Sequence, residues 1–445
     1  VADRLGYKQS ELAGYFGAEQ VDAIALAIDN IERGAGFIIG DQTGIGKGRV
    51  VAAMIRYAIR QGRNPIFVTE KPNLYGDMYR DLRDIGLIDM LGRDMNLVMT
   101  DAGKTVLLDE DTGFKLKTPQ AKAHNDYLQS LRGKKLADEG IDAIFTTYAQ
   151  MQTLKSQETP RRKTLASLAD GGVLMLDESH NAGGQSGQQA AKGDAPNRAE
   201  FVRNLVNAAH GVFYSSATYA KRPDVMDLYS ATDMKLAVPD LKNLGEAISK
   251  GGVPMQQVVA AMLARAGQYV RRERSFEGIS YNTPTVEIDR GQYANASTIL
   301  KQIQDFSELH IAPTVANIDL QIRDEAKSVS ADNSVGGAGA ASTNFTSIMH
   351  NIIDQMLLAF TADAAADRAI KSIQDGEKPV ITVANTLESF LDQYAEDEGV
   401  RIGEEIDITF ADVFARYLER SRWITVKKPF AAKGEKGERI RLTDA

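Results

Sequence analysis

The sequence predicts an α/β chain built on a parallel sheet with helices on both faces. Short apolar runs recur through the first 290 residues, at 36–39, 65–68, 96–99, 143–146, 173–176 and 212–214, each ending in turn or polar residues. Segments of helical periodicity separate several of them. Strands that alternate with helices pack as a parallel sheet, and such sheets place ligands at the carboxyl ends of their strands. The chain is also long enough, at 445 residues with 43% apolar and 25% charged, to bury the two or three cores such an arrangement needs.

The composition closes several function classes. Cys is absent, which excludes disulfides, thiolate catalysis and Cys-ligated zinc. The five His (124, 180, 210, 310 and 350) are scattered without HxxxH spacing, so no His-built metal site is expected. No run approaches the roughly 18 apolar residues of a membrane helix. No signal peptide is visible, so the chain is not expected to be secreted, and its start at Val1 rather than Met leads us to expect a piece of a longer polypeptide. The net charge of −8, taken alone, argues against a surface coated in basic charge for nucleic acid.

The elements follow in order. The first strand runs into Gly40-Asp41-Gln42-Thr43-Gly44-Ile45-Gly46-Lys47-Gly48-Arg49, and beyond it Val51, Met54, Ile55, Ala58 and Ile59 mark one face of a helix. A glycine-rich turn between a buried strand and a helix is where a phosphate cradle forms. Gly44 and Gly46 let the backbone curl so that N–H groups face phosphate oxygens. The helix N-terminus adds positive potential, and Lys47 reaches the β- and γ-phosphates. Two positions depart from GxxxxGK[ST]: Asp41 stands at the first Gly, and Gly48 replaces the hydroxyl residue that usually touches magnesium. Taken alone, the segment also reads as an ordinary glycine-rich turn.

Further along, Val173-Leu174-Met175-Leu176 enters Asp177-Glu178-Ser179-His180. At the end of a central strand, Asp177 can hold Mg²⁺ through water while Glu178 polarises the water that attacks the γ-phosphate, although a strand ending in Asp-Glu is commonplace by itself. His180 could then relay the nucleotide state to a neighbouring loop. Ser216-Ala217-Thr218 follows the next apolar run and places small hydroxyls within reach of that loop. From about 287 to 374 the pattern is mostly helical, broken by the small-residue stretch 328–343, which reads as a flexible loop. A strand at 379–383 and a helix at 387–394 restart the α/β rhythm. The tail from Arg420 carries eight Lys/Arg against three acids together with Trp423. It reads either as a β-hairpin insertion or as a nucleic-acid contact through charge and stacking.

Asp-x-x-Gly-x-Gly-Lys, Asp-Glu-Ser-His and Ser-Ala-Thr, in this order, resemble motifs I, II and III of a superfamily 2 helicase or translocase. More closely, the sequence resembles the strawberry notch family of DExH-type ATPases, and more distantly Snf2-type translocases. The resemblance is carried by GAGFIIGDQTGIGKGR (34–49), RDLRDIGL (80–87), DAIFTTYAQM (142–151), GGVLMLDESHNAG (171–183), YSSATYAKRPDVMDLY (214–229) and QYVRRERSFEGISY (268–281). The Gly48 departure is shared with that family.

The resemblance implies a RecA-like first domain over 1–275, a linker and mainly helical segment over 276–375, and the beginning of a second RecA-like domain over 376–445. It implies an ATP- and Mg²⁺-dependent motor on nucleic acid, DNA favoured, in the cytoplasm, of a phage or bacterial branch. A nucleotide-gated clamp on DNA or a partner protein, without translocation, is the other reading. The implied nucleotide contacts are Gln20, at the adenine-reading position, with Thr43, Gly44, Ile45, Gly46, Lys47, Gly48 and Arg49; Thr43 is one candidate to complete the magnesium shell. Lys47, Asp177, Glu178 and His180 carry the implied chemistry, Ser216, Ala217 and Thr218 the coupling. Lys71, Thr146 and Thr147 fall at positions implied to touch the nucleic-acid backbone. Arg271 and Arg272 read either as a linker or phosphate contact or as a charge run paired with Glu273 and Glu277. No segment reads as the arginine-bearing motif of a second lobe, so slow hydrolysis is expected of this stretch alone.

Overall fold

The computed structural model describes residues 1–42, 44–154, 157–182, 196–217, 223–234, 241–275, 277–283, 285–286, 290–329, 339–342, 345–383, 415, 419, 423–427 and 438–441. The chain divides into two compact units, Val1–Gly278 and Ile279–Ala445.

The first unit is organised by a sheet whose strands are β1 (Gly36–Ile39), β2 (Pro65–Thr69), β3 (Leu97–Met99), β6 (Ala143–Thr147), β7 (Val173–Asp177), β8 (Gly211–Ser215) and β9 (Tyr269–Val270), with β4 (Thr105–Asp109) and β5 (Phe114–Lys117) forming a separate hairpin. Strand order is β3-β6-β2-β7-β8-β1-β9. Every neighbouring pair is parallel. Three helices, α1 (Ala2–Leu5), α2 (Leu12–Tyr15) and α3 (Ala18–Glu32), precede β1; parallel strands need crossovers, and the sequence supplies them with α4 (Lys47–Arg60), α5 (Leu74–Asp84), α6 (Leu87–Leu91), α7 (Ala121–Ser130), α8 (Pro160–Ala169) and α9 (Arg198–Ala208).

The period-2 geometry of strands sorts the core into two layers. Phe37, Ile39, Phe67, Phe145, Met175 and Phe213 join the cluster that contains Ile24, Ile28 and Ile31 of α3, Met54 and Ile55 of α4, and Met78 and Leu82 of α5. Their sequence neighbours Ile38, Ile66, Ile144, Leu174, Leu176, Val212 and Tyr214 join the cluster of Leu165 and Leu168 from α8 and Val202 and Leu205 from α9. A sheet buried on both faces reads as continuous apolar runs rather than alternation, and this is why each strand appeared as one. All six expected strands form, within one residue of the expected limits at each end. Where α3 crosses the start of β8 the approach is tight: a Cβ on Gly211 would stand 2.6 Å from Ile31 Cγ2.

In the second unit the expected helical stretch is present as α11 (Arg290–Phe306), a π-turn at Ser307–Ile311, α12 (Ala312–Val329) and α13 (Phe345–Gln374), following α10 (Leu241–Arg265) of the first unit. The expected hairpin also forms: β11 (Trp423–Lys427) pairs antiparallel with β12 (Glu438–Arg441). Two expectations are corrected. The stretch 328–343 is not simply a loop, because α12 runs to Val329 and Gly339–Ser342 is a strand, β10, paired antiparallel with β11. Its small residues carry no strand pattern; a distant partner's backbone makes it a strand. Conversely 379–383, expected as a strand, is irregular, with Val380 and Ile381 86% and 60% exposed. An apolar β-branched run becomes a strand only when a ladder partner takes its hydrogen bonds. The expected helix at 387–394 lies outside the described residues.

Phe145 anchors the layer beneath α5, its ring 5.1 Å from that of Phe67 and 5.5 Å from that of Tyr75. Phe145→Ala is expected to cost about 4 kcal/mol, the usual range for removing a buried ring, read as a lower midpoint in urea denaturation.

Candidate functional site

The site gathers at the carboxyl ends of β1, β7 and β8, where the loops they feed converge. The loop after β1 turns through Gly44 and Gly46, whose φ values of 93° and 88° are left-handed and suit glycine. Nothing lies within 4 Å of a Cβ built on Gly44, whereas one on Gly46 would strike the Gln20 side chain. The outer curve of the loop is therefore open toward a ligand and its inner side is buttressed. Lys47, the first residue of α4, donates from Nζ to the Asp41 carbonyl at 2.8 Å, folding its ammonium back over the loop. Gln20 does not stand free to read a base: its Oε1 accepts from the Gly17 amide at 2.9 Å and its Nε2 donates to the Gly46 carbonyl at 3.1 Å. Ile45 is buried. Arg49 donates to the Tyr15 carbonyl at 2.9 Å and pairs with Asp84 at 3.7 Å. Thr43 lies outside the described residues.

Asp41 is the residue whose role the sequence left open. Its side chain is 1% exposed and forms an ion pair with Arg272, which lies just beyond β9. The Arg272 amide donates to Oδ1 at 2.8 Å, Nε reaches both oxygens at 3.1 Å, and Nη2 completes the fork. The backbone continues the same union, with Gly40 N–H donating to the Val270 carbonyl at 2.7 Å and Gln42 N–H to the Arg272 carbonyl at 3.0 Å. Of the two readings held for the arginines, Arg271 pairs with Glu273 at its surface, and Arg272 is built into the loop's foundation.

At the end of β7, Asp177 accepts from the Thr69 hydroxyl at 3.3 Å. Its backbone carbonyl accepts from the Tyr148 hydroxyl at 2.8 Å. Glu178 follows with φ of 44°, a left-handed conformation unusual for a side-chain-bearing residue. Such strain costs on the order of 1 kcal/mol or more and persists where surroundings enforce it; here the Asn181 amide holds the Glu178 carbonyl at 2.8 Å. His180 bridges outward: its Nδ1 lies 3.3 Å from Glu178 Oε2 and 2.9 Å from Ser216 Oγ. The loops after β7 and β8 are thus joined by one imidazole. Ala217 is half-buried beside Ser216, and Thr218 lies outside the described residues.

Both carboxyls are pushed above their ordinary ranges. For Asp177 the first cause is burial, opposed by its hydrogen bonds and by Lys47. For Glu178 it is burial and then the Asp177 charge, opposed by His180 and Lys47. Desolvated carboxylates at the mouth of a phosphate loop fit a magnesium nucleotide, whose cation offsets the burial. Among the described residues no group of three His, Asp or Glu could hold a metal by itself. A cation here would take most of its shell from phosphate and water.

The remaining expected contacts are distributed differently. Lys71 is exposed in the loop before α5. Thr146 and Thr147 are buried, and the Thr146 hydroxyl is bonded to that of Thr100 at 2.6 Å, so it is turned to the interior rather than to a nucleic-acid backbone. Side chains at the ends of parallel strands are as often turned inward as outward, and residue type alone does not separate the cases. Tyr148 and Thr69 are supporting groups to which the sequence reading gave no role, and for Arg272 it named Glu273 and Glu277 rather than Asp41 as partners.

A parallel sheet with a glycine-rich cradle after one strand, two carboxylates after the next but one, and a hydroxyl after the strand between them defines a P-loop NTP hydrolase domain. The chain belongs to the family described as P-loop containing NTP hydrolase pore-1, whose model matches residues 8–295. It is similar to the protein strawberry notch homolog of Caenorhabditis elegans, 27% identical over 295 residues, covering 62% of this chain and 14% of that protein. It is also similar to human protein strawberry notch homolog 1, 27% identical over 292 residues, covering 61% of this chain and 19% of the relative. The chain therefore spans less than one-fifth of the length of these curated relatives. Among solved structures, the SWI2/SNF2 ATPase core of Sulfolobus solfataricus in complex with dsDNA aligns at 12% identity and TM-score 0.36, covering 78% of this chain and 64% of that one.

Two outcomes are expected. Asp41→Ala strands the Arg272 guanidinium beside a buried cavity and is expected to destabilise the chain by about 3 kcal/mol, the lower end for breaking a buried pair, measured by urea denaturation. Because the native Glu178 carboxyl binds its proton more tightly than the unfolded one, stability falls as pH rises between the ordinary carboxylate range and the raised native value. Glu178→Gln is therefore expected to melt above the wild type at about pH 7, the difference vanishing as pH drops below the ordinary carboxylate range.

Proposed function

We infer that this chain binds ATP with Mg²⁺ and hydrolyses it, as part of a motor that moves along nucleic acid, DNA being the proposed track. The observation that carries the reading is the His180 bridge, which ties the catalytic Glu178 to Ser216 on the neighbouring loop. A nucleotide-dependent change at the carboxylates has there a direct mechanical outlet.

In the proposed reaction the amides around Gly44 and Gly46 hold the phosphate oxygens, and the Lys47 ammonium leaves the Asp41 carbonyl to lie against the β- and γ-phosphates. Asp177 would hold a magnesium ion through its hydration shell, and that ion would supply charge neutralisation to the phosphates. Glu178 orients a water against the γ-phosphorus and takes its proton as the bond to the β-phosphate oxygen breaks. His180, sensing the charge on Glu178, passes the change to Ser216. Lys71, exposed at the end of β2, is the described group best placed to meet a phosphate backbone. The choice of DNA rests on the motif resemblance, as do the phage or bacterial origin and the cytoplasmic setting.

The test is ATPase activity, with and without duplex DNA, of a polypeptide extended past residue 445. Lys47→Ala and Glu178→Gln are each expected to lower the rate at least about 10²-fold, the scale of a general-base loss, with DNA stimulating only the wild type. Equal, unstimulated rates in all three would overturn the reading. ATP-dependent DNA binding with no strand or triplex displacement would replace the motor with a clamp.

A further inference from the structure

Gly48 occupies the position at which a P-loop ordinarily carries the hydroxyl that touches magnesium. In this fold the space is filled from outside the loop. A Cβ built on Gly48 would fall on Oδ2 of Asp81, a residue of α5, and stand 3.3 Å from its Cγ. In this arrangement the space that a Ser or Thr side chain at residue 48 would enter is occupied by the tip of the Asp81 carboxylate. The backbones that carry the two residues are held close, since Arg49 of α4 pairs with Asp84 of α5 at 3.7 Å and Leu82 next to Asp81 is fully buried.

The carboxylate itself lacks a partner. Among the described residues it makes no hydrogen bond and no salt bridge. The two arginines whose charge acts on it are engaged elsewhere, Arg80 with Asp77 at 3.0 Å and Arg49 with Asp84 and the Tyr15 carbonyl. Burial is the first cause that raises its pKa above the ordinary value. A half-buried carboxylate without donors, set beside the residue next to the phosphate-binding lysine, matches a site completed by a cation.

We propose that Asp81 supplies the magnesium-shell oxygen that Gly48 lacks, so that the cation arriving with nucleotide is held from α5 as well as from β7. This rests on the nucleotide-binding reading of the same site. Thr43, the other candidate for that shell, lies outside the described residues. The competing account is that Asp81 only packs against the first turn of α4, where a carboxylate also favours the helix N-terminus.

The two are separated by nucleotide titrations on the full chain, using fluorescent ADP at increasing Mg²⁺ and again in EDTA, with a thermal melt of every variant. Asp81→Asn and Asp81→Ala are expected to raise the Mg²⁺ concentration for half-maximal tightening about tenfold or more, the scale at which metal-supporting carboxylates act, with EDTA affinity unchanged. Gly48→Ser alone is expected to impair binding, since its side chain meets Asp81. The double variant Gly48→Ser, Asp81→Ala is expected to recover the Mg²⁺ response, having exchanged a carboxylate for the usual hydroxyl. An unmoved Mg²⁺ midpoint in Asp81→Asn at unchanged melting temperature overturns the proposal, as does a double variant no better than Asp81→Ala. A lowered melting temperature with no change in the Mg²⁺ midpoint establishes the packing account in its place. Failure of the wild type to bind nucleotide at any Mg²⁺ concentration overturns the nucleotide reading and this one with it.

Discussion

The phosphate loop of this chain is fixed by a buried charge pair. Where the usual pattern opens with glycine, Asp41 reaches across to Arg272, 231 residues later in sequence, and nearly all of its hydrogen-bonding capacity is met there. A buried carboxylate is tolerable only when its lone pairs are answered, so the loop and the segment after β9 are ordered together or not at all. The backbone bonds Gly40 to Val270 and Gln42 to Arg272 make the same statement in neutral form. Movement of the loop is movement of 270–274, the stretch through which the chain runs on toward the end of the first unit at Gly278.

The carboxylates after β7 show the same economy of support. Asp177 and Glu178 are held by their backbones: the Tyr148 hydroxyl and the Asn181 amide fix the two successive carbonyls, each at 2.8 Å. The left-handed Glu178 that results aims its side chain away from the path a regular strand would give it. Preorganised groups do not have to be reoriented during reaction, and this is where electrostatic stabilisation gains its effect. Tyr148, fully buried and with its hydroxyl pKa well above the ordinary value because of that burial, stays a donor at any physiological pH.

The strands of the first unit were legible because burial on both faces makes each one an unbroken apolar run, and the loop and carboxylate motifs were legible because each is contiguous in sequence. What could not be read is what joins segments far apart. Asp41 was visible as a departure from a pattern, yet its partner stands across most of the domain. Thr146 and Thr147 had the residue types of a phosphate contact, and only the fold shows both side chains buried, with the Thr146 hydroxyl turned to Thr100. The strand Gly339–Ser342 has no strand signal of its own, since pairing with Trp423–Lys427 creates it. The run 379–383 failed in the opposite sense: it had the signal and, as described, no ladder to join.

Gly48, like Asp41, is a departure visible in the sequence whose neighbour, here Asp81, is not. A loop-borne hydroxyl would make the magnesium shell local to the loop. On the reading proposed for Asp81, a carboxylate on α5 would make it depend on a second helix, and α5 begins directly after the segment that carries Lys71, whose carbonyl accepts from the Leu74 amide at 3.2 Å. On the proposed reading, one rigid helix therefore ends its path at the cation and begins it at the loop offered to the nucleic-acid backbone. Loss of the cation with product would release both ends together, a connection that the common hydroxyl arrangement does not provide.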